Sequence, residues 1–329
     1  MKASAVYHAG TPAFLLRLAE VPEMQRLRGV GMNCGCEYTS FRRFRRLKPY
    51  SRFDHSLGAA RIVWHFTEDP AQSVAALFHD IATPTFAHSV DFLRGDHLRQ
   101  EATEDDTEKL IRSSPQITEL LRREGIDPGD VVDYHRYPIA DNDPPGLSAD
   151  RLEYTLGNLE NYRLRPPLVL KLYYQNLTVA KNEDGLAELA FRDELVAIDF
   201  GFDALRCSRI YVSDEDRYAM QMLSELLSHA IGRGVLTESD LMGTENALIR
   251  KLLADPVSAA EWKAFRALRE MVTEPDLAPV ERRRVIPAKL RCIDPLVASR
   301  GRLSSICPEF ADELNSFRAT DQSAWLCAR

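Results

Sequence analysis

Apolar residues recur at helical spacing through most of this chain and strict apolar–polar alternation is rare, so the expected fold is mainly α. Residues 12–30, PAFLLRLAEVPEMQRLRGV, predict one or two short helices broken near Pro22. Residues 51–67, SRFDHSLGAARIVWHFT, carry Leu57, Ala60, Ile62, Val63 and Phe66 at helical spacing, with Ser51 as N-cap. Residues 70–80, PAQSVAALFHD, open with Pro70 in a first-turn position and run apolar to His79. Two more helices are expected over 101–113 and 114–125, the second stopping at Gly125, and others over 150–162 and 216–234. The one clear strand signal lies at 175–191, where two β-prone runs flank the turn Asn182-Glu183-Asp184-Gly185. The tail after residue 275, with Glu281-Arg282-Arg283-Arg284 and several prolines, predicts small helices and loops.

A chain of 329 residues can form one large helical domain or two average ones. Arg165-Pro166-Pro167 suggests a division into 1–165 and a helical 166–329 carrying the hairpin, either as two parts or as a turn within one domain. A net charge of −7 argues against a general affinity for nucleic acid backbone. No apolar run reaches the roughly 18 residues needed to cross a bilayer, and no N-terminal run reads as a secretory signal. A cytoplasmic protein without membrane partners is the expectation, assembled as a homo-oligomer. The six cysteines are too dispersed for a disulfide scaffold, which fits a reducing compartment. Cys34 and Cys36 form a lone Cys-x-Cys without a second pair and read as structural.

Chemistry concentrates at ALFHDIATPTFAH, residues 76–88. An apolar helix ends there in His79-Asp80, with His88 and Asp91 following. His55 sits in the preceding predicted helix, and a two-helix hairpin brings its face to that of His79. Asp150 opens a later helix after the loop DNDPPGLSAD. Two imidazoles and two carboxylates form a mixed nitrogen–oxygen set suited to a divalent transition metal with positions open to water and substrate. Such a metal is a Lewis acid for a phosphoryl oxygen and a source of hydroxide near neutral pH.

RFDHSLG at 52–58, ALFHDI at 76–81, FAHSVD at 86–91 and SADRLEY at 148–154 resemble the HD-domain phosphohydrolases. Their nearest branch is that of the deoxynucleoside triphosphate triphosphohydrolases, and MQRLRGVG at 24–31 is similar to the segment preceding that branch's first histidine. The match runs over about residues 14–160 and is loose beyond. The resemblance implies that His55, His79, Asp80 and Asp150 ligate a divalent metal (Mn, Fe, Co, Ni, Zn or Mg). It implies that His88 acts near the phosphoryl group as acid or stabiliser and that Asp91 orients it. A carboxylate behind an imidazole fixes its tautomer and is expected to favour its protonated form. Arg52 and Arg151 are placed to meet substrate phosphates, and Tyr154 to pack on a sugar or base.

The departures bear on substrate. Thr83 stands where the branch has a histidine, Gln100-Glu101 where it shows His-Glu with His97 nearby, and Asn158 where an aspartate holds a sugar hydroxyl. The expected activity is therefore hydrolysis of a phosphoester or phosphoanhydride in a nucleotide or related small phosphorylated molecule. The alternatives are a nuclease or phosphodiesterase guided by RRFRRLK at 42–48, and a non-catalytic nucleotide sensor. An oxygenase would want histidine ligands that Thr83 and Gln100 do not supply. His135 reads as a structural residue.

Overall fold

Helix starts in this protein are set by prolines and by short polar caps. The computed structural model describes residues 6, 10–94, 104–273, 283–284, 287–323 and 325–328. The first half comprises α1 (Ala13–Ala19), α2 (Pro22–Arg26), α3 (Arg52–Thr67), α4 (Pro70–Phe78), α5 (His88–Arg94), α6 (Glu104–Ser113), α7 (Pro115–Glu124) and α8 (Ala149–Asn161). Pro22, Pro70 and Pro115 each occupy a first-turn position, where the missing N–H costs no helical bond. Ser51 closes a capping box with Asp54, Asp69 accepts from Gln72 N, and Ser148 accepts from Arg151 N. Gly125 ends α7 in the left-handed conformation, at φ +70°. Gln100, Glu101, His97 and Glu281-Arg282 lie outside the described residues, and the helix expected over 101–113 is described from Glu104 onward.

The second half continues with α9 (Pro167–Asn176), β1 (Leu177–Lys181), β2 (Ala187–Phe191), α10 (Glu194–Tyr211) and α11 (Asp214–Gly232). Next come α12 (Glu238–Leu241), α13 (Glu245–Ala254), α14 (Pro256–Ala267), β3 (Met271–Thr273) and β4 (Arg283–Arg284). The chain closes with β5 (Leu296–Val297), β6 (Gly301–Arg302), α15 (Leu303–Ile306), α16 (Pro308–Arg318) and β7 (Trp325–Ala328). The fold is mainly α, as the periodicity predicts, and β1 and β2 form the expected antiparallel hairpin with Leu177 opposite Phe191. The tail holds the expected small helices, α15 and α16, and adds short strands. β5 runs parallel to β2 and pairs with β6, making a sheet ordered β1-β2-β5-β6, and β7 lies between β3 and β4. These strands are two to four residues long, too short for an alternation to register in sequence.

Among the described residues, buried side chains form three clusters. One joins Leu152 and Leu156 of α8 with Phe191, Phe200 and Phe310, so residues on both sides of the Arg165-Pro166-Pro167 turn share it. A second gathers Phe41, Phe44, Phe86, Leu223 and Trp262, and the third packs α1, α3, α4 and α7. No described helix is long and apolar enough to cross a membrane.

Candidate metal centre and its cavity

α3 packs on α4 and on α8, and the close approach to α8 depends on Gly58. A Cβ at Gly58 would lie 2.5 Å from Glu153 Oε1 and 2.7 Å from its Cγ, so no side chain fits between these helices. Three segments far apart in sequence thereby bring His55, the α4 end at His79-Asp80, and Asp150 at the start of α8 to one point.

The donors converge. His55 Nε2 lies 3.1 Å from His79 Nε2 and 2.9 Å from Asp150 Oδ1. Asp80 Oδ2 is 3.5 Å from His79 Nε2 and 3.9 Å from His55 Nε2, and Asp150 Oδ1 is 3.6 Å from His79 Nε2. His55, His79 and Asp80 present ligand atoms all within 4.8 Å of one another.

Both imidazoles are held from behind. His55 Nδ1–H donates to Glu153 Oε2 at 2.6 Å, and His79 Nδ1–H donates to the Ala76 carbonyl at 2.7 Å. Each Nδ1–H is taken by its acceptor, so each Nε2 is turned towards the cluster. Two imidazole nitrogens and two carboxylates aimed at one another need a positive charge among them, a proton or a cation, and this donor set fits a bound divalent metal. Without a metal the cluster holds a proton instead: burial opposes charge on His55, yet its hydrogen bonds to Asp150 and Glu153 hold its pKa up at about 10, and a bound cation would displace the proton that Nε2 shares with Asp150. Burial likewise works against ionised Asp80 and Asp150, but Arg52 beside Asp80 and His55 beside Asp150 keep both well below the usual carboxylate range.

Arg52 is where the structure speaks most directly to a predicted role. It is buried, and its Nη1 reaches both Asp80 oxygens at 3.0 and 3.1 Å. Thr83, the residue standing in place of a histidine, donates its hydroxyl to Asp80 Oδ1 at 2.7 Å. Arg26 of the MQRLRGVG segment clamps the intervening turn through the carbonyls of Ile81 and Thr83, at 2.9 and 2.8 Å. The Asp80 carboxylate is therefore fixed by two donors, and the turn that follows it by a third residue.

His88 opens α5 and donates Nδ1–H to Asp91 Oδ2 at 2.8 Å, the i,i+3 geometry expected from the spacing. Arg291 stands 3.5 Å from its Nε2. Asp91 favours the charged form of His88, as expected, but other influences outweigh it. Burial pulls the pKa below its ordinary value, Arg291 adds to that, and the Asp91 hydrogen bond offsets them only in part. The turn delivering His88 is strained. Phe86 and Ala87 both lie at positive φ, +61° and +41°, a region unfavourable to any residue with a Cβ. Phe86 is anchored beside Tyr38 and Trp262, and Ser89 donates to the Cys34 carbonyl.

Arg151 binds the loop before α8. Its guanidinium donates to Asn142 Oδ1 at 2.6 Å, to the Gly146 carbonyl at 3.0 Å and to the Asn142 carbonyl, and pairs with Asp141 at 3.2 Å. It borders the cavity while holding that loop in place. Tyr154 also borders the cavity, its ring 6.5 Å from His55 and 6.0 Å from Tyr211. His135 is placed differently from its structural reading: it lines the same cavity, pairs with Asp141 at 3.0 Å and lies against Tyr134. The cavity measures about 550 Å³. The arginines of RRFRRLK do not line it; Arg42, Arg43 and Arg46 border a second cavity instead.

Sequence reasoning missed Glu153, Arg26 and Arg291. Glu153 had a signal, since it follows Asp150 by three on one helix and so shares its face. Arg26 lay in a quoted segment with no indication of which arginine turns inward. Arg291 had none, because it comes from a tail loop about 200 residues from His88.

No protein-family model matches the chain. It is similar to the uncharacterized protein YdhJ of Bacillus subtilis, at 22% identity over 243 residues, covering 73% of this chain and 71% of that one. It is also similar to the metal-dependent phosphohydrolase cns2 of Cordyceps militaris, at 23% identity over 320 residues, covering 92% of this chain and 87% of that one.

Proposed function

We propose that this chain is a metal-dependent phosphohydrolase of the HD type, acting on a nucleotide or a related small phosphorylated molecule. The observation that carries it is the pair of Nε2 atoms 3.1 Å apart, each turned to the cluster by an acceptor on its own Nδ1, between Asp80 and Asp150. The name of the Cordyceps militaris relative supports the same reading. When bound by His55, His79, Asp80 and Asp150, a divalent metal supplies Lewis acidity to a phosphoryl oxygen and lowers the pKa of water.

The remaining work falls to the chain's own groups. Arg52 and Thr83 keep Asp80 ionised and oriented. His88 presents Nε2 to the cavity beside Arg291, where it exchanges a proton with the leaving oxygen, and Arg291 meets phosphate charge. Tyr154 and Tyr211 offer ring faces to a base or sugar. Asn158 Oδ1 is buried and has no hydrogen-bond partner among the described residues, and it borders the same cavity. A sugar hydroxyl donated to that oxygen would satisfy it. A cavity of about 550 Å³ suits one nucleotide better than a strand.

The test is a product screen of metal-loaded protein against nucleoside mono- and triphosphates, cyclic dinucleotides and short oligonucleotides. Phosphate or oligophosphate release from mononucleotides, abolished by His79→Ala/Asp80→Ala, is the expected result. Cleavage of oligonucleotides alone would replace this reading with a nuclease.

A further inference from the structure

The run RRFRRLK folds into something other than a solvated loop. Phe41 and Phe44 are buried, and they turn Arg42, Arg43 and Arg46 outward together. These three line a cavity of about 580 Å³ with Arg163, at the end of α8, and with Arg206 and Arg209 of α10. Six guanidinium groups thus face one hollow whose lining contains a single carboxylate, Glu215, in a chain of net charge −7. Two of them have acidic partners: Arg206 pairs with Asp203 at 3.2 Å and Arg209 with Glu313. Arg42, Arg43, Arg46 and Arg163 have no ion pair among the described residues. The base of the hollow is apolar, with Leu47, Leu164 and Ile210 beside the ring of Tyr162.

We propose that this hollow is a second anion site, distinct from the metal centre, that binds a compact oligophosphate chain such as that of a nucleoside triphosphate. Converging like charges raise one another's energy, and a multiply charged anion is the partner that relieves them. Guanidinium groups are the side chains whose fork geometry suits phosphate oxygens in pairs. The arginines ring one solvent-open hollow of roughly nucleotide size and do not form a stripe, which favours a small ligand over a strand.

The hollow is built on the same helices as the metal cavity. α8 carries Asp150 and Tyr154 at its start and middle and leads into Tyr162 and Arg163, while Arg209 of α10 stands two residues before Tyr211. Tyr162 borders both cavities, and its hydroxyl lies 3.4 Å from Asn33 Oδ1 at the metal cavity.

The experiment is calorimetric titration of inorganic tripolyphosphate, at physiological ionic strength, into the full chain and two variants. The charge reversal Arg42→Glu/Arg46→Glu/Arg163→Glu changes only exposed side chains, so its melting temperature should match the parent's. It is expected to weaken binding about tenfold or more, while His79→Ala/Asp80→Ala retains the binding that the reversal removes. Equal affinity in parent and charge reversal would overturn the proposal, as would loss of all binding in the metal-site variant. A parallel titration with ATP separates the sources of the phosphates. Tighter binding than tripolyphosphate, lost on reversal, means the base is also read, and equal binding means the phosphate chain alone is recognised. An oligothymidylate bound more tightly than either, through the same arginines, would overturn the compact ligand in favour of a strand.

Discussion

Glu153 makes no contact with the proposed metal position, yet the geometry predicts that it controls metal affinity. The substitution Glu153→Gln keeps the shape that fills the space over Gly58 and removes only the charge. Glu153 is buried, and its Oε2 accepts both His55 Nδ1–H, at 2.6 Å, and the Tyr50 hydroxyl. A hydrogen bond to a charged group contributes about 1.5–3 kcal/mol and a neutral one about 1 kcal/mol, so the exchange loses roughly 1–2 kcal/mol. That corresponds to a factor of about 5–30 in affinity, which overlaps the range of about 10–100 typical of groups behind a metal-binding histidine. Competition against a chromogenic chelator measures the dissociation constant directly. Melting temperatures with and without metal provide a second readout, because the metal-induced rise should shrink in the variant. Tyr50→Phe removes the other donor to the same oxygen while keeping the charge, and it should not weaken the metal. An unchanged metal dissociation constant in Glu153→Gln would refute the reasoning, since His55 would then owe its basicity to something else.

Other outcomes follow from the same geometry. His79→Ala/Asp80→Ala should abolish metal binding by elemental analysis while circular dichroism keeps its helical signal. His88→Ala should retain the metal and lose roughly 10²–10⁴-fold in turnover, the scale of a lost general acid. Because His88 is depressed below 6.5, kcat/KM should fall as pH rises through that lower value if it donates a proton. Asp91→Asn removes the group that holds the value up, so the fall should begin at still lower pH. Arg52→Ala leaves a buried Asp80 without its guanidinium, and removing one partner of a buried pair costs about 3–5 kcal/mol. A metal partly replaces that positive charge, so the drop in melting temperature should be larger in metal-depleted protein than in metal-loaded protein. Equal drops would indicate that Asp80 does not ligate.

The helices were legible because their signals are local. Ser51, Ser148, Pro70 and Gly125 act within one turn of where they stand, and each does in the structure what its residue type predicts. The convergence of His55, His79, Asp80 and Asp150 was readable from spacing together with motif resemblance. What surrounds them was not. Thr83 was read as the loss of an imidazole, whereas its hydroxyl fastens Asp80. Arg52 and Arg151 both line the cavity, and what the sequence does not report is that each also holds protein acceptors, Asp80 for Arg52 and the Asn142–Gly146 loop for Arg151. No spacing rule reports which of several nearby oxygens an arginine finds. The short strands of the tail exist because partners distant in sequence supply their hydrogen bonds, as β2 does for β5.

The two left-handed residues before His88 have a consequence for how the protein fails on heating. Each such residue raises the local energy by of order 1–3 kcal/mol, and the packing of Phe86 among Tyr38 and Trp262 is what keeps the turn in place. A segment under that tension opens locally before the whole domain unfolds, because its own free energy of opening is lowered by the amount stored. His88 would then swing out of register while His55, His79, Asp80 and Asp150, mounted on α3, α4 and α8, stay assembled. Turnover should therefore fade several degrees below the global melting transition with the metal still bound. Trimming Trp262, on a helix that supplies no ligand, should widen that interval.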